Sequence, residues 1–166
     1  MIGGKANSLG RASEVIDSVY AEPSRLEELF DCIFADDAWV RMRAIDSFEK
    51  IIKDKPDWVQ PYLGRIFSNL TKSDQPSIQW HLAQIFTEVT LTEDQRGSAI
   101  AWLKNRIRTT DVDWIVSVNV MKALVYFCQN GFVIASDIIQ LFKVQEAHTS
   151  KTVRKKATDF KLSILN

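Results

Sequence analysis

The sequence predicts an all-α protein, an α-solenoid of about four helical-hairpin repeats preceded by one further helix. Three observations predict it. Two helical registers of different phase run through the 166 residues and keep one period of 37 to 38. The residues that start and stop helices recur on nearly the same period. No β-type alternation of useful length competes with either pattern. A fixed period of about 20 to 50 residues marks repeat architectures, because a single hairpin can bury its apolar face only against its neighbours.

The elements follow in order. Residues 8 to 21 read as one helix that caps the N-terminal end, so residues 1–22 form a tail and capping helix. The repeats then occupy about 23–55, 56–91, 92–129 and 130–166. The first helix of each repeat carries its apolar face on Leu26, Leu29, Phe30 and Ile33, then on Leu63, Ile66, Phe67 and Leu70. The face recurs on Ile100, Leu103 and Ile107, and finally on Ile138, Leu141 and Phe142. The second helices carry Val40, Ala44, Phe48 and Ile51, then Ile78, Leu82, Phe86 and Val89, then Val116, Val120, Leu124 and Phe127. The fourth copy is weaker, with Val153, Ala157 and Ile164, and with Phe160 standing in beside Lys161.

Punctuation agrees with this division. Ser24-x-x-Glu27, Asp57-x-x-Gln60 and Thr92-x-x-Gln95 have the form of capping boxes. Asp37, Asp74 and Asp111 stand between paired helices, where a carboxylate can accept orphan backbone N–H groups. Pro61 falls in a first turn, and Asn130-Gly131 supplies a break after the third repeat.

The segment Asp36-Asp37-Ala38-Trp39-Val40-Arg41-x-x-Ala44 resembles the signature of the HEAT-repeat family, and Val153-Arg154-x-x-Ala157 is similar. Gln79 and Ser117 stand where Arg would in the second and third copies. The resemblance covers about residues 23 to 166. It implies a right-handed α–α superhelix whose second helices line a concave side. It also implies that Arg41 and Arg154 bond to carboxylates of neighbouring turns. The family's members are scaffolds, adaptors and a few enzymes, so the resemblance specifies fold far more than function.

On the second helices, the arc opposite the apolar face holds the positions two, six and nine residues after the first apolar one. Across the repeats the first of these gives Met42, Trp80, Val118 and Lys155. The next gives Asp46, Gln84, Lys122 and Asp159, and the last begins with Glu49. The expected groove is therefore built on Met42, Asp46, Glu49, Trp80, Gln84, Val118, Lys122 and Lys155. A ladder of Arg43, His81, Asn119 and Lys156 flanks it and is expected at contacts between repeats. Trp39, Trp58, Trp102 and Trp114 are expected to be structural, since large aromatics dominate core area.

Composition bounds the chemistry. Lys plus Arg equals Asp plus Glu, at 21 each, which counts against duplex DNA held by phosphate neutralisation. Cys32 and Cys128 are far apart and His81 and His148 lie in different repeats, so neither a disulfide framework nor a zinc site is expected. No Gly-rich phosphate loop and no catalytic constellation is evident, and no cofactor or metal is expected. Glu49 and Lys53 have the spacing of an ordinary helical ion pair. With no signal-like or membrane-spanning run, the expected setting is the cytoplasm.

The expectation for function is a non-enzymatic interaction or scaffold module that holds a peptide or protein surface in its concave groove. One alternative is a nucleic-acid binding protein related to HEAT-like alkylpurine DNA glycosylases, for which Trp80, Asp46 and Arg43 supply the residue types but not the order or spacing. Another is a lyase- or chaperone-like HEAT protein. Phe160, Leu162, Ile164 and Leu165 crowd the C-terminal end, so pairing with a second copy through that end is also expected.

Overall fold

A computed structural model describes residues 11–165, so the predicted start of the first helix at Ser8 and the glycines of the N-terminal tail lie outside the described residues. Nine α-helices and no strand occur among the described residues: α1 (Ala12–Ala21), α2 (Leu26–Asp31), α3 (Ala38–Asp54), α4 (Leu63–Ser68), α5 (Pro76–Glu88), α6 (Glu93–Arg106), α7 (Trp114–Gln129), α8 (Ala135–Gln145) and α9 (Lys151–Ser163).

Proline placement sets the lengths of α2 and α4. Each opens as a 3₁₀ segment, Pro23–Arg25 and Pro56–Tyr62, and regular α-geometry begins only at Leu26 and Leu63. Pro61 lies inside the second of these segments, where it supplies no N–H and crowds the preceding turn. The corresponding α6 has no proline and runs unbroken for 14 residues. Its start is a complete capping box: Thr92 Oγ1 accepts from the Gln95 N–H, and Gln95 Oε1 accepts from the Thr92 N–H. The boxes expected at Ser24 and Asp57 do not form, because Ser24 donates to Glu22 and both residues lie within proline-led 3₁₀ turns.

The caps of the second helices also differ from expectation. Asp37 caps α3 and accepts from the N–H groups of Trp39 and Val40. At α5 and α7, however, the cap positions are Gln75 and Asp113 rather than Asp74 and Asp111. With Ser150 before α9, the caps stand 38, 38 and 37 residues apart, the second helices' own period. The break after α7 is a Schellman turn: Gly131 N–H donates to Cys128 O, Phe132 N–H donates to Phe127 O, and Gly131 sits at φ 77°.

Burial follows the two registers. Phe48, Phe86 and Leu124 are interior, as are Leu29, Phe30, Ile66, Leu103, Ile138 and Phe142 on the first helices. The second helices pack on one another in sequence order, α3 on α5, α5 on α7 and α7 on α9, while α1 packs on α3. Being covered on two flanks, they bury a further row, Ile45, Ala83 and Met121. The equivalent residue of α9 is Thr158, which is exposed, α9 packing on α7 and α8 among the described residues.

Two of the tryptophans depart from expectation. Trp58 and Trp102 pack against the core, and Trp102 Nε1–H donates to Thr71 O. Trp39 and Trp114, at 45% and 50% exposure, stand in the first turns of α3 and α7, past the edge of the core.

Candidate functional site

The four turns that lead into the second helices are braced by one device with three solutions. Arg41 donates to Ala35 O and Asp36 O at 2.7 and 2.8 Å, and Arg154 donates to His148 O and Thr149 O at the same distances and the same sequence offsets. These acceptors are carbonyls, not the carboxylates that the resemblance implies. A planar fork of donors suits the uncapped carbonyls at the end of the preceding helix. In the second repeat Gln79 is too short for two and reaches Ser73 O alone, at 2.9 Å. In the third, Ser117 cannot reach, and the fully buried Gln145 of α8 substitutes. Its Nε2 donates to Ile107 O and Thr109 O, and its Oε1 accepts from Ser117 Oγ. Repeats are also tied across: Gln75 Nε2 donates to Ala38 O, and His148 Nε2 donates to Val112 O while its Nδ1 accepts from the Ser150 N–H. These residues are structural.

The predicted groove residues are divided between two environments. Met42, Trp80 and Val118 are half-buried, one each on α3, α5 and α7. Trp80 lies against His81, ring centroids 3.4 Å apart, and both Trp80 and Val118 touch the core. Lys122 and Lys155 are exposed. Asp46, Glu49 and Gln84, expected to face outward, instead meet the next helix. Gln84 Nε2 donates to Asn119 Oδ1 at 3.3 Å, and Asp46 and Glu49 approach His81. Neighbouring second helices thus make contact through the His81 and Asn119 positions, as expected of that ladder. Glu49 is a correction: it is buried, at 6% exposure, because α5 covers it.

Around His81 the chain concentrates charge. Asp46 Oδ1 and Glu49 Oε2 each lie 3.9 Å from a ring nitrogen of His81, beyond hydrogen-bond distance. Neither ring nitrogen has a hydrogen-bond partner among the described residues, and Glu88 Oε2 is likewise buried and unpaired. Lys50 pairs with Asp46 at 2.7 Å. Lys53, expected opposite Glu49 on its own helix, reaches Glu88 of α5 at 3.5 Å. Burial, the charge of Glu88 and a hydrogen bond shared with it raise Glu49 to about 7, with Lys53 acting in the opposite sense. Burial, with the Lys50 ammonium, lowers His81 to about 3 and keeps it neutral. Below pH 7 the pair is therefore a largely protonated carboxyl beside a neutral imidazole.

Sequence reasoning had Asp46 and Glu49 in the candidate set but missed His81 and Glu88 as members of one cluster. The signal available was the α3-to-α5 offset of 38 residues, which sets Glu88 opposite Lys50 and His81 opposite Arg43, on the flanks where the two helices meet. Among the described residues no group of three or more His, Cys, Asp or Glu side chains is arranged to hold a metal ion. No helix among them is long and apolar enough to cross a membrane. A hollow of about 620 Å³ lies away from the groove, between α1 and α2, edged by Arg11, Glu14, Arg25 and Glu28. No family model matches the chain, and no curated protein or solved structure matches it.

Proposed function

We propose that the chain is a HEAT-like α-solenoid and acts as a non-enzymatic interaction module, holding an extended or helical protein segment along α3, α5 and α7. The observation that carries this reading is the row of Met42, Trp80 and Val118. These three apolar side chains occupy one position on successive packed helices, and each keeps part of its surface open. Successive helices lie roughly 10 Å apart, a spacing that a peptide's apolar side chains can follow. A half-buried tryptophan with apolar neighbours is the residue type that most often anchors such contacts. The repeated brace at Arg41 and Arg154 supports the solenoid reading, since unrelated helices have no reason to share donor, acceptor and offset. The charge sequence across the face, acidic at Asp46, neutral at Gln84 and basic at Lys122 and Lys155, would orient a bound segment. The reading extends to the tip of α9, where exposed Leu162 and Leu165 would pair with a second copy.

The test is a peptide-display selection on wild type, repeated with Trp80→Ala. The expected result is a shared motif whose binding weakens by about 2 kcal/mol or more in the variant, with the thermal midpoint lowered by only a few degrees. Enrichment of no motif, or a collapse of the midpoint that makes Trp80 a core residue, overturns the groove.

A further inference from the structure

We propose that the outer side of α9 pairs antiparallel with α9 of a second copy of the chain, about a two-fold axis. The proposal rests on the reading that the tip of α9 meets a second copy, and it names the surface that meets it. Among the described residues α9 packs on α7 and α8. On its other side Lys151, Lys155, Thr158, Leu162 and Leu165 follow one another at steps of four, three, four and three residues. They form one stripe along the helix, and all are exposed. The stripe has two halves, lysines toward the N-terminal end and leucines, 54% and 60% exposed, toward the C-terminal end. Thr158 stands between them, in the row where Ile45, Ala83 and Met121 are buried.

The charge of α9 also runs against its own dipole. Lys151, Arg154, Lys155 and Lys156 fill its first two turns, no acidic residue stands in the first, and Ser150 makes no side-chain cap. The N-terminal end of a helix carries partial positive charge and disfavours cations, whereas the C-terminal end favours them. Three of these cations of α9 have a local use. Arg154 holds two turn carbonyls, Lys156 lies over the Phe160 ring, and Lys161 pairs with Glu146. Lys151, Lys155 and Asp159 have no ion pair among the described residues. Lys155 stands four residues before Asp159, the less favourable order for a pair within one helix.

A second α9 laid end for end against the first answers both observations. The lysines of one copy come to the C-terminal turns of the other, where the dipole favours a cation. Their aliphatic stems cover Leu162 and Leu165 while the ammonium groups stay in water. Lys155 of each copy comes within reach of Asp159 of the other. Parallel helices would instead set lysine on lysine. A second copy supplies the complementary order of charge and apolar surface by symmetry, residue for residue. One 13-residue helix, about 20 Å long, offers less than the roughly 800 Å² per partner of a standard interface, so the dimer is weak and depends on concentration.

The test mixes two variants of the full chain and follows them by sedimentation velocity across concentration. One carries Lys151→Glu with Lys155→Glu, the other Leu162→Lys with Leu165→Lys; all these positions are exposed, so the fold is kept. Each variant alone is expected to dimerise about tenfold or more weakly than wild type. The first puts anions on the C-terminal turns of its partner, and the second sets lysine on lysine. Mixed one to one, the two are expected to pair with each other, because the substituted positions carry opposite charge and lie along one another. A first variant that dimerises as tightly as wild type, or a mixture no tighter than its parts, overturns the antiparallel pairing. If Leu162→Glu with Leu165→Glu still abolishes the wild-type dimer in that case, contact between the tips stands without it. A wild type that stays monomeric at every accessible concentration overturns both.

Discussion

At the scale of residues, the turn braces show how one geometric need is met by unlike side chains. Arg41 and Arg154 meet it within their own helix, and the short Ser117 transfers it to Gln145, in the following repeat. Gln145 is fully buried and uses both ends of its amide. Gln145→Leu keeps its bulk but leaves two carbonyls and a hydroxyl unpaired in the interior. Since each buried polar group left unmade costs about 1–3 kcal/mol, and relaxation recovers part of it, the expected loss is about 3 kcal/mol in urea unfolding. A loss below about 1 kcal/mol would show that water reaches this turn and that Gln145 does not hold it. None of this was legible from Gln145 alone. The only hint was Ser117, too short for the place where the other copies have Arg or Gln.

At the scale of elements, the apolar faces of both helix registers were legible because burial leaves its period in the sequence. Fine capping was not. Asp74 and Asp111 each lie too early in the turn to cap the helix that follows, and the proline-led starts of α2 and α4 displaced two expected boxes. α9 is only partly covered. Val153 and Ala157 are buried, Phe160 and Ile164 only partly, and Leu162 and Leu165 are 54% and 60% exposed. Exposed apolar side chains grouped together mark an interaction surface, and Leu162 and Leu165 are so placed at the tip of α9. Self-pairing there should appear in light scattering as a mass that rises with concentration toward twice that of the chain, and Leu162→Glu with Leu165→Glu should abolish the rise. A monomer at every accessible concentration removes the pairing.

At the scale of the whole molecule, the seam between α3 and α5 couples folding to protons. Glu49 is raised, so its contribution to stability is fully present below the ordinary carboxylate value of 4.5 and is lost as pH rises through about 7. His81 is lowered, so its contribution is present above 6.5 and is lost as pH falls toward 3. Between 4.5 and 6.5 the folded chain keeps a proton on Glu49 and gives one up at His81, and the two slopes oppose each other. Glu49→Gln removes one side of this balance. Relative to wild type, the variant should gain stability as pH rises from 4.5 to 7, read as a growing difference in urea midpoint. Parallel midpoints across that window would show that Glu49 titrates as an ordinary surface carboxylate.

The sequence by itself determined the all-helical class, the two registers, and the interior of Phe48, Phe86 and Leu124. Each of these depends on apolar spacing along one helix, and that spacing is local information. Which outward-facing residues remain outward was decided only by the tertiary structure. On an isolated wheel Asp46, Glu49 and Gln84 point away from the apolar face; in the fold the next helix covers that flank, burying Glu49 against Glu88 and bringing Asp46 to His81. A helical wheel describes one helix, and the environment of these side chains is set by the rotation and spacing of two.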